Sequence, residues 1–399
     1  MRRPTSKLRA LALALSLAAC AGGARPATSI APPPTVARPA PAARSELVES
    51  IPRETDLALA GVPDAADVWL EMIRGARRSI DLAEFYVSDA PGSRLHAVLV
   101  EIERAAARGV HVRLLVDELF HAKYPEVPDA WAKLPNVEVR RLDLKPGVLH
   151  AKYFVVDGAD AYVGSENFDW RSLDHIFEIG ARTSDAAIVK PLLRVFEADW
   201  AHTTADLGPF VDGPLTLGVS PEANAGGAAW SELPRLVAWI GAAKRTIRVE
   251  VLTYKTKNRD GSEFRALDDA LRAAAARGVH VELLVSTWGE EDAAVAALAT
   301  LPNVEVKVIA IPPHSSGDIP FARVAHAKYA VFDDDRAWVG TSNWEGDYFV
   351  HSRNVSLFAA GGGLTARAAQ VFEGAWRSRY ARPLAALHVA NAGANAGAR

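Results

Sequence analysis

Two stretches of the chain share one hydrophobic pattern. Each opens with an amphipathic helix, over about 68–77 in the first and 233–243 in the second. A strand follows in each, because 79–87 alternates loosely and 246–254 is rich in β-formers. An alanine-rich helix comes next, over 93–108 and 263–277, and Gly109 or Gly278 ends it at the position after the C-cap. Residues 110–116 and 279–285 are short apolar runs, as in parallel strands buried on both faces. Strands alternating with helices predict α/β layers in both stretches.

The pattern repeats because the sequence does. Residues 105–112, AAARGVHV, recur unchanged at 274–281, and LPNVEV at 134–139 recurs at 301–306. A period near 170 is too long for a solenoid and marks a duplicated domain. The expected layout is a first half over 47–206, a Gly/Pro/Ala-rich connector over 207–229, a second half over 230–386 and a small, polar tail over 387–399.

The duplication carries chemistry. His150-Ala151-Lys152, with Asp157 five residues after the lysine, matches His326-Ala327-Lys328 with Asp333. Seven residues beyond each aspartate begin Gly164-Ser165-Glu166-Asn167 and Gly340-Thr341-Ser342-Asn343. His and Lys at i and i+2 of a strand share a face. Asp157-Gly158 signals a tight hairpin, whose return strand ends at the Gly-Ser corner. Two halves face to face would set two imidazoles, two ammonium groups and two amides around one cavity. Such a cavity suits a phosphodiester. Lys152, Lys328, Asn167 and Asn343 can hold the phosphoryl oxygens, one histidine can attack phosphorus and the other can move protons. This set calls for no metal and no cofactor. Asp157 and Asp333 fall at turns and are read as structural, with Ser165 and Thr341 as motif corners.

The doubled H-x-K-x4-D motif, each followed by G-[ST]-x-N, resembles the phospholipase D superfamily. Asp169-Trp170-Arg171-Ser172-Leu173 and Thr341-Ser342-Asn343-Trp344 are similar to the subgroup of lysosomal phospholipase D3/D4-like proteins and their poxvirus relatives. The resemblance implies two α-β-α sandwich halves with pseudo-twofold symmetry, one shared active site and a covalent phosphohistidine. It also implies that a carboxylate near Glu178 orients the nucleophilic histidine. His150 is therefore expected as the nucleophile, oriented by Glu178, and His326 as the general acid/base. The position matching Glu178 in the second half holds Asn354. Phe168, Trp170 and Trp344 stand beside the motifs, and Tyr86 and Tyr254 occupy matching places after the first strands.

Composition narrows the setting. A single cysteine excludes an internal disulfide framework and any cysteine-built metal site. Residues 1–45 hold seven bases and no acid, and a basic head precedes the apolar run 8–19, which reads as a secretory signal over 1–19. Leu17-Ala18-Ala19-Cys20 resembles a bacterial lipobox. It implies lipidated Cys20, an Ala/Pro-rich tether over 20–46 and a lipid-anchored place in a bacterial envelope, at the outer membrane or periplasmic face. Without residues 1–19 the balance is 41 bases against 48 acids, which offers no global pull on nucleic acid. The expected partners are a phospholipid or single-stranded nucleic acid, a water or alcohol acceptor, and a membrane reached through the N-terminal lipid. The internal duplication removes the need for a dimer to complete the site.

Overall fold

The repeated strings close the same local structures twice. Gly109 and Gly278 end their helices in the left-handed region, at φ 94° and 88°. Asn136 and Asn303 also turn left-handed, at φ 61° and 64°. Their side-chain amides donate to Ala106 O and Ala275 O, tying each following strand to the end of the preceding helix. Asp157 and Gly158 both take positive φ, as a two-residue hairpin turn requires.

The computed structural model describes residues 43–384. Cys20 and the signal expected over 1–19 lie outside the described residues. The first sheet has seven strands, in the order Ser45–Ser50, Glu178–Thr183, Asp160–Gly164, Tyr153–Val156, Ser79–Glu84, His111–Asp117, Val137–Leu142. The last three are mutually parallel and the rest pair antiparallel. The second sheet repeats this order from Leu215–Ser220 to Val304–Ile309 and adds Ala381–Pro383 at its edge.

Layering explains the continuous apolar runs. In Tyr153–Val156, Tyr153 and Val155 face one core while Phe154 and Val156 face another. Helices Ala65–Gly75 and Arg94–Ala107 cover the outer face of the first sheet. Glu232–Ala242 and Ala266–Ala276 cover the outer face of the second. Between the sheets, helices Ala186–Trp200 and Gly362–Arg377 share one core with both inner faces. The fold is thus α/β, with two like halves joined through a common core. No helix among the described residues is long and apolar enough to cross a membrane.

The stretch 207–229, expected as a connector, contains strand Leu215–Ser220, which pairs with Asn354–Ala360 at the sheet edge. Its Gly218 disguised it in the sequence. A Cβ there would stand 2.5 Å from the Phe358 ring, so glycine is the residue that fits.

One buried ion pair ties the halves. Arg353, from the second half, donates from Nε and Nη2 to Asp199, on helix Ala186–Trp200 of the first, each at 2.8 Å. Its remaining donors reach Ser220 O and Asn224 O. Removing the arginine alone leaves an uncompensated buried carboxylate. Arg353→Ala is therefore expected to lower unfolding stability by about 3–5 kcal/mol in urea titration, and Arg353→Met with Asp199→Leu to recover most of it. A single-variant loss under about 1 kcal/mol would contradict this assignment.

Candidate active site

The two histidines sit on loops that cross between halves. The Arg353 N–H donates to Val148 O and the His150 N–H to Arg353 O, both at 2.9 Å. Gly147 makes this approach possible, since a Cβ there would stand 2.1 Å from His351 O. The other crossing mirrors it: Phe177 N–H donates to Val324 O at 3.0 Å and His326 N–H to Phe177 O at 2.8 Å. Each histidine thus lies against the residue that precedes the other half's Glu178 or Asn354.

The crossing exchanges the partners. Glu178 does not orient His150, as the order along the chain suggested. It accepts from His326 Nδ1, and also from Ser172 Oγ. His150 Nδ1 instead donates to Asn354 Oδ1 at 2.9 Å. Asn354 is itself fixed by Thr341 Oγ1, which donates to it at 2.8 Å, and by its own amide, which donates to Tyr348 O at 2.7 Å. The physical reason is the main-chain bridging just described, which sets each motif beside the other half's strand. In both cases Nδ1 is occupied and Nε2 is left for chemistry.

A cavity of about 320 Å³ opens onto both imidazoles and onto Asn167 and Asn343. The edges of Phe85 and Tyr348 pack on the His150 ring, with centroids at 5.0 and 4.6 Å. Lys152 and Lys328 are fully buried behind the histidines, and each ammonium donates to the main-chain oxygen of its own histidine at 2.5 Å. Burial lowers Lys152 to about 7, against the pull of Glu84 and Glu178. Burial and the Lys152 charge push Lys328 well below the usual lysine range. Burial, with Lys152 and Lys328, also drives His150 well below the usual imidazole range. His326 moves down for the same reasons, while burial and nearby Glu166 drive Glu178 up. Burial, and behind it the two lysines, explains both histidine shifts.

The other expected residues divide by position. Asp157 takes N–H bonds from Arg77, Arg78 and Ser79, and Asp333 takes them from Lys244, Arg245 and Thr246. Both fasten a hairpin to the preceding helix end, away from the cavity. Ser165 exchanges bonds with the Ile179 main chain, and Thr341 with that of Val355. Phe168 and Trp344 are buried in the two outer cores, and Tyr254 is buried with its hydroxyl on Asp268. Of the aromatics singled out, Tyr86 reaches the cavity.

Several wall residues escaped the sequence reading. Phe85, Phe120, Lys123 and Tyr124 form one side, with Tyr86 stacked on Tyr124 at 4.5 Å. Trp288, Phe321 and Tyr348 come from the second half. These residues belong to loops and short helices outside the repeated strings, so the repeat could not mark them. The buried carboxylates Glu84, Glu166 and Glu250, which oppose the lysines, were equally silent.

The family model described as "Cardiolipin synthase, PLD-like domain" matches twice, at residues 69–200 and 236–376. A mouse protein named 5'-3' exonuclease PLD4 is 32% identical over 85% of this chain and 79% of its own length. Bovine 5'-3' exonuclease PLD3 is 31% identical over 89% and 84%. Phospholipase D Z of Dictyostelium discoideum is 30% identical over 85% and 90%. The solved phosphatidylserine synthase of Haemophilus influenzae superposes at TM-score 0.59, with 13% identity over 80% of this chain and 85% of that one, a likeness of fold alone. The relatives correct one expectation. They are animal and slime-mould proteins, so the bacterial-envelope location inferred from Cys20 does not hold. A short apolar run ending in cysteine is a local string, and matches spanning most of the chain outweigh it.

The partner exchange has a pH consequence. Burial and the two lysines hold His150 well below the usual imidazole range, so with His150 as the attacking base the acidic limb of kcat/KM is expected there. Asn354→Asp places a carboxylate at Nδ1 and favours the imidazolium. The acidic limb is expected to move up by about 1–3 pH units, measured with a nitrophenyl phosphodiester. An unmoved limb would show that Asn354 does not set the charge of His150.

Proposed function

The chain belongs to the phospholipase D superfamily and is a phosphodiesterase; on that premise we propose that it cleaves a phospholipid at the phosphodiester, or passes the phosphatidyl group to an alcohol. The observation that carries this reading is the unequal pair of imidazoles. His150 has a neutral amide on Nδ1 and cations nearby, so its Nε2 keeps a lone pair and attacks phosphorus. His326 has a carboxylate on Nδ1 and holds the proton given to the leaving alkoxide. It then takes a proton from water or alcohol, which displaces His150 from phosphorus. Asn167 and Asn343 on the cavity wall supply donors to the phosphoryl oxygens as charge develops there, and Lys152 and Lys328 behind the histidines supply positive charge. The nucleophile remains His150, but the reason is its amide partner rather than Glu178.

The cavity wall favours a lipid. Ile176, Leu252, Val324, Phe85 and Phe120 line it, and its two outer cations are already engaged. Arg171 is held by Asp169, at 2.6 and 2.8 Å, and Lys123 lies over the Phe120 ring at 4.5 Å. A polyanionic strand needs a row of free cations. A second reading, 5′ cleavage of single-stranded nucleic acid, is favoured by the stacked Tyr86–Tyr124 pair, which offers a platform to a base, and by the exonuclease names of two relatives.

Roles and substrate separate in two assays. With a nitrophenyl leaving group, which needs little protonation, His326→Ala is expected to give a burst of nitrophenol and a phosphoenzyme, and His150→Ala no burst. The reverse outcome exchanges the roles. Wild-type protein is then offered phosphatidylcholine, phosphatidylglycerol with added alcohol, and 5′-hydroxyl single-stranded DNA. Turnover of DNA alone would overturn the lipid reading.

A further inference from the structure

A buried carboxyl inside the first motif takes no part in the mechanism above. Glu166 is the third residue of the Gly164–Asn167 corner and is 1% exposed. The strand pairing fixes its neighbour. Val163 pairs with Ala181 and Gly164 with Gly180 in the antiparallel ladder. Ser165 N–H continues the ladder by donating to Ile179 O at 3.0 Å. The next step sets Glu166 opposite Glu178, and side chains two residues apart share a face. The two glycines leave that face open. A Cβ on Gly164 would stand 2.2 Å from Glu166 Oε2, and one on Gly180 would stand 2.2 Å from the Tyr162 hydroxyl. Two buried carboxyls are thus cross-strand neighbours, and one of them, Glu178, holds His326 at Nδ1.

The second half shows how a structural carboxyl is kept at this corner. Ser342 and Asn354, both uncharged, stand at the matching places. A carboxylate does reach the corner, from Glu232 at the start of helix Glu232–Ala242. It accepts from Ser220 Oγ at 2.7 Å, and from Ser342 Oγ and Trp338 Nε1 at 3.0 Å. Glu166 has no such set, and neither of its oxygens accepts a hydrogen bond. Glu178 accepts from both His326 and Ser172. Donors favour an anion, and two buried like charges side by side oppose each other's ionisation.

Other groups face Glu166 from each element around it. Glu178 and Glu84 come from strands of its own sheet, and Lys328 from the second half's motif. Asp64 caps helix Ala65–Gly75, where Arg94 pairs with it. The Tyr162 hydroxyl, from the same hairpin, is buried without a partner. Burial raises Glu166, and Lys328 is the charge that opposes the rise.

We propose that Glu166 is a positioning residue that stores the one proton of the Glu166–Glu178 pair. Neutral at lower pH, it leaves Glu178 as the carboxylate on His326. Ionised at higher pH, it adds a negative charge that keeps Lys328 and His326 protonated. This deepens the phosphodiesterase mechanism and rests on it. Glu166 acts through these neighbours and not on substrate, because it stands off the cavity wall.

Glu166→Gln stays neutral at every pH, so the cations beside it lose their protons at lower pH than in wild type. The alkaline limb of kcat/KM for a nitrophenyl phosphodiester is expected to move down by about one pH unit. A merely structural carboxyl would lower kcat/KM at all pH and leave the limb in place. Independently, the infrared difference between wild type and Glu166→Gln isolates this carboxyl. It is expected to show a protonated carboxyl band at acidic pH, which gives way to carboxylate bands before the wild-type alkaline limb is reached. Should Glu166→Gln fail to fold, Glu166→Ser, which carries the residue of the matching place, replaces it in both measurements. A limb that stays or moves up overturns the proposal, as does a carboxylate signal already present at acidic pH. The mechanism beneath it fails separately: turnover that survives His150→Ala sinks the histidine roles, and the infrared titration of Glu166 does not depend on them.

Discussion

The reciprocal crossing of the two histidine loops is the constraint on which the rest of the site depends. Two main-chain bonds at each crossing set Leu149 against Arg353 and Phe177 against Ala325. Neither half alone holds a complete set of groups: the first supplies Glu178 to the histidine of the second, and the second supplies Asn354 to that of the first. The Arg353–Asp199 pair reinforces one crossing from behind, with the same residue offering its main chain to His150 and its guanidinium to the other half. Stability and catalytic geometry are thus carried by one interface.

Within that near-symmetric frame the chemistry is asymmetric. A carboxylate stands beside one imidazole and an amide beside the other, so the two rings have unlike Nδ1 partners although burial lowers both. The sheets and helices are alike in the two halves; a difference between two side chains of similar size, at positions 178 and 354, distinguishes the two imidazoles. Conversely, the walls differ wholesale. The first half contributes packed aromatic rings, whereas the second contributes the exposed Trp288 and Phe321.

Burying Lys152 and Lys328 with Glu84, Glu166, Glu178 and Glu250 is an expensive way to build a core. Each ion loses hydration, and the opposed shifts of these groups record the loss. The arrangement is intelligible as a preorganised charge field. Each ammonium is held by the main-chain oxygen of its own histidine, so the charges are fixed by the fold.

The sequence by itself determined the duplication, the α/β layering and the residues that meet at the site, because local periodicity and repeated spacing are properties of the chain. The Gly109 and Gly278 helix ends, and the His-Lys and Gly-x-x-Asn strings, were all legible in this way. Tertiary structure decided which carboxyl serves which histidine, since loops from opposite halves pass each other and nearness along the chain ceases to mean nearness in space. It also decided that Leu215–Ser220 is an edge strand rather than linker, because Gly218 is required by the Phe358 ring and not by a turn. The cavity wall depends on loops and short helices that the repeated strings do not cover. No spacing in one chain reveals that Phe120 and Tyr348, more than two hundred residues apart, line a common cavity; only the packing of the two halves brings them together.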